Sequence, residues 1–138
     1  MSHQAEALVL HCIDFRFIHG IVHWLKDQGL IDRYDDVALA GAAKNLADPD
    51  KASDRDVILR QLKISHELHA IKRVILINHR DCGAYGHIFS DRAQEYERHT
   101  GDLRQAKNMI EKKFPGLSVT CALADLQSAG NIAFETIN

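Results

Sequence analysis

Short aliphatic runs alternate along this chain with segments of helical periodicity, and that alternation limits the fold more than any other feature. RVILINH (Arg73 to His79), with four consecutive aliphatic residues, is the plainest strand signal. ALVLHCI (Ala7 to Ile13) is another, and Ile18, Ile21, Val22 and Leu25 then recur at helical spacing until Gly29 supplies a stop. DVALAGA (Asp36 to Ala42) reads as a further buried strand, followed by the polar loop ADPDKA. Ser53 with Asp56 three residues on forms an N-cap signature, and Val57, Ile64, Leu68 and Ile71 mark one face of the next helix. A longer helix runs up to Phe114-Pro115-Gly116, with Leu103, Ala106, Ile110 and Phe114 on one side and Gly101 as a point of interruption. LSVTCALAD and GNIAFETI close the chain as two strands separated by DLQSAG. Strands that are apolar throughout are covered on both faces. The pattern therefore predicts an α/β fold, a mainly parallel central sheet of about five strands with helices on both faces.

At 138 residues the chain is expected to form a single domain over 1–138, large enough to hold a core without disulfides. Its 17 basic and 19 acidic residues leave a formal charge of -2, without the basic excess that nucleic-acid binding needs. No apolar run approaches the roughly 18 residues of a membrane span, and the opening MSHQAEALVLHC lacks the basic start and apolar stretch of a secretory signal. Neither nucleic acid nor membrane is expected as a partner, and the expected location is cytoplasmic. Three cysteines, Cys12, Cys82 and Cys121, stand far apart, an unpromising disulfide framework. Among the nine histidines, His3, His66, His69 and His99 fall in polar or helical surroundings and are expected to be solvated.

Two clusters sit where the first and third strands end, Cys12-Ile13-Asp14-Phe15-Arg16 and His79-Arg80-Asp81-Cys82-Gly83. In open parallel sheets, sites collect beyond the carboxyl ends of strands. Cys12, His79 and Cys82 together make a Cys2His set suited to tetrahedral zinc, with one position left for water or substrate. Two other readings stand beside it: Cys12 and His79 as a nucleophile pair, which leaves Cys82 unexplained, and cysteines that are merely buried small hydrophobes. A phosphatase loop of the form Cys-x5-Arg fails, because Arg16 is only four positions after Cys12. Neither GxxxxGK[ST] nor GxGxxG occurs, so nucleotide-phosphate cradles have no support.

CIDFR, AGAAKN (Ala40 to Asn45) and HRDCG, in this order on successive strand ends, resemble the motifs of the β-class carbonic anhydrases. Those motifs are Cys-x-Asp-x-Arg, an Ala/Gly-rich turn ending in Asn, and His-x-x-Cys-Gly. ALADLQSAGNIAF is similar to the hairpin that ends the family's sheet, so the resemblance spans nearly the whole chain. It departs in the middle motif, where Ala43-Lys44 precedes Asn45, and in a chain that opens almost directly on the first strand, without the helical arm of longer members.

The resemblance implies Cys12, His79 and Cys82 as ligands of one Zn2+ per chain, with Asp14 and Arg16 as the neighbouring catalytic dyad. Gly41, Ala42, Ala43, Asn45 and Gly83 would form a substrate-side turn. The implied reaction is reversible hydration of carbon dioxide to bicarbonate by a zinc-bound hydroxide. The implied assembly is a homodimer or larger homo-oligomer, and Phe15, Phe17 and Trp24, which lie outside the aliphatic row of the first helix, could face a partner or the core. A carbon disulfide or carbonyl sulfide hydrolase on the same fold, and a zinc-binding regulatory protein without turnover, are the alternatives.

Overall fold

The computed structural model describes residues 3–138. Five strands form one sheet: β1 (Ala7–His11), β2 (Tyr34–Ala38), β3 (Arg73–His79), β4 (Ser118–Leu126) and β5 (Ile132–Ile137). Their order is β2-β1-β3-β4-β5, parallel throughout except for the β4–β5 hairpin. The helices are α1 (Ile18–Asp27), α2 (Lys44–Ala47), α3 (Ala52–His69) and α4 (Arg92–Lys113). Both faces of the sheet are covered, as the all-apolar strands require.

The covering is unequal. Alternate strand residues Leu8, Leu10, Val74, Leu76, Val119, Cys121 and Leu123 pack against α2, α3 and α4. The residues between them, Ala7, Val9, Ile75, Ile77, Ala122 and Ala124, pack with Ile21 and Leu25 of α1, with Phe17 just before it and Leu30 just after it, and with Ile132 and Phe134 of β5. Trp24 closes that face by stacking on Phe134, ring centroids 4.9 Å apart. Phe17 is therefore core and Trp24 packs within the chain, whereas Phe15 is 87% exposed.

The structure departs from the sequence expectation in β2, α3 and α4. The second strand starts at Tyr34 and ends at Ala38, and as an edge strand it is only partly buried. Its polar start is satisfied sideways, Asp35 accepting from Ser65 and His69 and Asp36 from His11. Helix α3 begins one residue before Ser53, its N-cap is Lys51, and no side chain caps it. The inward face of α3 carries Ile58, Leu62 and Ser65, while Val57, Ile64 and Leu68 are exposed. This is the same i, i+4, i+7 spacing turned by about one residue, roughly 100° around the axis. Helix α4 runs unbroken through Gly101 with Leu103, Ala106 and Ile110 buried. His99, on the same helix, is fully buried instead of solvated.

Strands β1 and β3 are neighbours, with His11 level with Ile77, but the chain leaves them toward opposite edges of the sheet. The crevice beyond their carboxyl ends is a topological switch point, where parallel sheets leave room for a site.

Candidate metal centre

Cys12 follows β1, His79 ends β3, and Cys82 follows three residues later. The sulfurs of Cys12 and Cys82 and a ring nitrogen of His79 all lie within 4.8 Å of one another, and all three residues are buried. The two sulfurs stand 3.9 Å apart and both thiols are free. Two sulfur ligands about 2.3 Å from a tetrahedral zinc are about 3.8 Å apart, so the spacing suits a shared cation. His79 Nδ1 lies 2.7 Å from the Arg80 carbonyl and must donate to it, because that oxygen can only accept. The proton is thereby placed on Nδ1. His79 Nε2, buried and without a hydrogen-bond partner in the protein, is left with its lone pair free. A buried nitrogen in that condition costs free energy unless something binds it. Phe17 stacks on the His79 ring at 4.2 Å and fixes its plane.

The electrostatics agree with a cation site. The Cys12 thiol is pushed down by the hydrogen bond from Cys82, and also by His79 and the Gly41 amide, against the opposing effect of burial. Cys82 is pushed up, since the hydrogen bond it gives to Cys12 holds its proton and a second buried negative charge beside the first is unfavourable. A divalent cation relieves that repulsion and lets both sulfurs ionise. Burial resists a charge on His79, but the Cys12 sulfur and the Arg80 carbonyl outweigh it and push its pKa up.

Asp14 stands at the mouth of this cluster, with Oδ2 3.7 Å from His79 Nε2. Arg16 grips the carboxylate from the side: Nη2 donates to Oδ2 at 2.7 Å, Nε to Oδ1 at 3.0 Å, and the Arg16 amide to Oδ1 at 2.9 Å. Chiefly through those guanidinium hydrogen bonds, Asp14 is held well below the usual carboxylate range, at about 2. Arg16 also donates to the Asp81 carboxylate at 3.1 Å and to the Asp81 carbonyl at 3.0 Å, which ties the two motif loops together. Nothing in the spacing of HRDCG marks Asp81 for this contact, which arises only when the two loops meet in the fold.

Between Ala38 and α2 the chain turns through Gly41 and Ala42, both at positive φ (86° and 46°). A Cβ on Gly41 would come within 3.1 Å of the Ala84 Cβ, so glycine serves both the backbone angle and the close approach. The Gly41 amide donates to Cys12 Sγ at 3.5 Å. Asn45 donates back to the carbonyls of Ala40 and Ala42, and the Ala43 amide donates to Asn78 Oδ1, bracing the turn from below. Asp14, Phe15, Arg16, Cys82, Gly83, His87 and Asp125 are among the residues lining an open cleft of about 820 Å³. Gly83 lies in that cleft. Ala42, Ala43 and Asn45 are buried behind the cluster and do not line it.

Residues 2–131 match the model of a family described as "Putative carbonic anhydrase". The chain belongs to that family. An uncharacterized protein of Rickettsia bellii is 34% identical over 137 residues, covering 96% of this chain and 84% of its own. Another, from Rickettsia conorii, is 31% identical and covered over 74% of its length. Among solved structures, a carbonic anhydrase from Streptococcus mutans superposes with a TM-score of 0.63 at 17% identity, over 99% of this chain and 84% of that one. A β-carbonic anhydrase from Trichomonas vaginalis gives 0.57 at 12% identity, over 96% and 83%. At those identities the solved structures establish the shared fold, that of the β-carbonic anhydrases. Within this carbonic anhydrase-like fold, the buried Cys2His cluster is compatible with a metal ion such as zinc.

Proposed function

We propose that the protein is a zinc-dependent carbonic anhydrase that interconverts carbon dioxide and bicarbonate. The observation that carries this reading is the free lone pair of buried His79 Nε2, aimed at two sulfurs spaced for a tetrahedral cation, with a carboxylate beside it. Cys12, His79 and Cys82 would hold one Zn2+, which when bound would supply the Lewis acidity that makes water a nucleophile near neutral pH. Three protein ligands are one fewer than a closed structural zinc site uses, which suits a catalytic role.

The other roles follow from the chain itself. Asp14, kept ionised by Arg16, can only accept a hydrogen bond, so it orients a protic nucleophile by its remaining proton and leaves the oxygen lone pair toward the substrate. Arg16, anchored on Asp81, holds that carboxylate in place at the mouth of the cluster. Phe15, Phe17 and Phe89 supply apolar wall to the cleft, suited to a nonpolar gas. An 820 Å³ cleft is far larger than a triatomic molecule fills. A second copy of the chain seated over exposed Phe15 would narrow it, and the reading includes a homodimer or larger assembly, checked by light scattering at micromolar concentration. It also includes a cytoplasmic location, since three unpaired cysteines suit a reducing compartment.

The test is stopped-flow hydration of carbon dioxide by zinc-loaded protein, with carbon disulfide and carbonyl sulfide run in parallel. Turnover of carbon dioxide alone supports the proposal. Turnover confined to a sulfur compound transfers the site to hydrolysis, and no turnover of any of the three leaves a metal-binding protein without this activity.

A further inference from the structure

Glu95, on the first turn of α4, is 92% buried, an uncommon place for a carboxylate. Its Oε2 accepts the Asp81 amide at 2.7 Å, and its Oε1 meets Arg80 Nη1 at 3.3 Å. The Asp81 nitrogen and the Arg80 carbonyl belong to one peptide unit. That carbonyl is the acceptor for His79 Nδ1–H, at 2.7 Å. A single chain of hydrogen bonds therefore runs from the Glu95 carboxylate, through the 80–81 peptide, to Nδ1 of the histidine whose Nε2 faces the two sulfurs.

We propose that Glu95 is a positioning residue for the metal centre, acting on His79 through the intervening peptide. The inference rests on the reading of Cys12, His79 and Cys82 as metal ligands. Metal-binding histidines commonly give their other N–H to a carboxylate or a carbonyl, which sets the tautomer and makes the ring a better donor. Here a carbonyl receives the proton and a buried carboxylate stands behind the carbonyl. Accepting the amide proton polarises the peptide, increases negative charge on the Arg80 oxygen and strengthens its bond to Nδ1–H.

The same contact fixes the loop. Asp81 has φ 56°, a left-handed value that costs a non-glycine residue free energy unless its surroundings hold it there. Glu95 holds its amide from behind, and Arg16 Nη2 holds its carbonyl from the front at 3.0 Å while also gripping Asp14. One buried carboxylate thus sets both the His79 ring and the anchor of the Asp14–Arg16 pair. Arg80 is tied in turn to the Arg92 carbonyl and lies over the Tyr96 ring, so the counter-charge of Glu95 is itself fixed on α4.

The experiment uses zinc-loaded protein and its Glu95→Gln variant, which keeps the side-chain length and an acceptor oxygen but removes the charge. Zinc affinity is measured by chelator competition, and the Asp81 amide proton and His79 ring nitrogens are followed by NMR. The expected result is an affinity lowered about 10- to 100-fold, with the Asp81 proton moving upfield and the His79 nitrogens shifting together. Unchanged affinity would overturn the proposal. So would a fall in affinity with those resonances unmoved, because a merely structural buttress behaves that way. Should the variant fail to fold, the unaltered protein still decides: the Asp81 amide should be far downfield and protected from exchange, and exchange at the rate of an open loop would refute it. If the unaltered protein takes up no zinc, the metal reading and this inference fall together; if it binds zinc and Glu95→Gln binds it equally well, only this inference falls.

Discussion

His99 makes the stability of this fold depend on acid. It is fully buried, and Asn78 Nδ2 donates to its Nδ1 at 3.0 Å, which leaves the ring proton on Nε2. Nε2 has no hydrogen-bond partner and lies 3.9 Å from the Glu95 carboxylate, too far for a hydrogen bond. Burial lowers the pKa of His99 from 6.5 to about 4; Glu95 opposes that shift, while His79, Arg80 and Arg98 add to it. The unfolded chain binds a proton at this residue below about 6.5 and the folded chain does not until about 4, so stability falls as pH drops through that window. At about 1.4 kcal/mol per tenfold change in proton affinity, the full loss is about 3 kcal/mol. For a domain stabilised by about 5–15 kcal/mol this is a large fraction. His11 and His79, whose pKa values are raised, act in the opposite direction, so the measurement must be a difference. Urea unfolding of metal-free protein from pH 7.5 to 4, set against His99→Gln, isolates the contribution. The expected result is a gap between the two stabilities that shifts by about 3 kcal/mol in favour of the variant as pH falls. A gap that stays constant with pH would refute the argument from burial.

Replacing Cys12, His79 or Cys82 with Ala should abolish stoichiometric zinc by elemental analysis, whereas Cys121→Ser should retain it, because Cys121 is buried beneath α4 against the Leu103 carbonyl. Asp14→Asn should keep zinc and lose activity by about 10- to 100-fold, since the amide carries no charge for Arg16 and can donate where the carboxylate only accepts; carbon dioxide hydration at saturating zinc checks it. Gly20→Ala would bring a methyl against the end of the Ile132 side chain, which is half-buried and can turn aside, while Ala gains about 1 kcal/mol over Gly inside α1; thermal or urea unfolding should show a net change within about 1 kcal/mol, and a larger loss would mean that Ile132 is held rigidly.

Much of this arrangement was legible because its signals are local. The aliphatic run of β3 and the Leu103, Ala106, Ile110 row of α4 each have one periodicity and one possible inward face. Cys12, His79 and Cys82 converge because strands that are neighbours in the sheet end in motif residues. Helix α3 reads one residue out of phase for a physical reason: Val57, Ile58, Leu59, Leu62, Ile64 and Leu68 spread apolar character around it, and only the sheet selects Ile58 and Leu62. Strand β2 reads as buried because its aliphatic residues resemble those of an interior strand, and nothing in a single segment reveals that it has one neighbour. His99 and Glu95 sit in a polar stretch of α4 that reads as a solvated face. Glu95 is buried against the 80–81 peptide and His99 against Asn78, which are distant in sequence.

The central claim is that this Cys2His cluster, loaded with one zinc, interconverts carbon dioxide and bicarbonate. Exchange of oxygen-18 from labelled carbon dioxide into water, followed by mass spectrometry at chemical equilibrium, reports that interconversion directly. Zinc-loaded protein should lose label rapidly, Asp14→Asn more slowly, and Cys82→Ala only at the uncatalysed rate. Label loss at the uncatalysed rate with a fully zinc-loaded protein would contradict it.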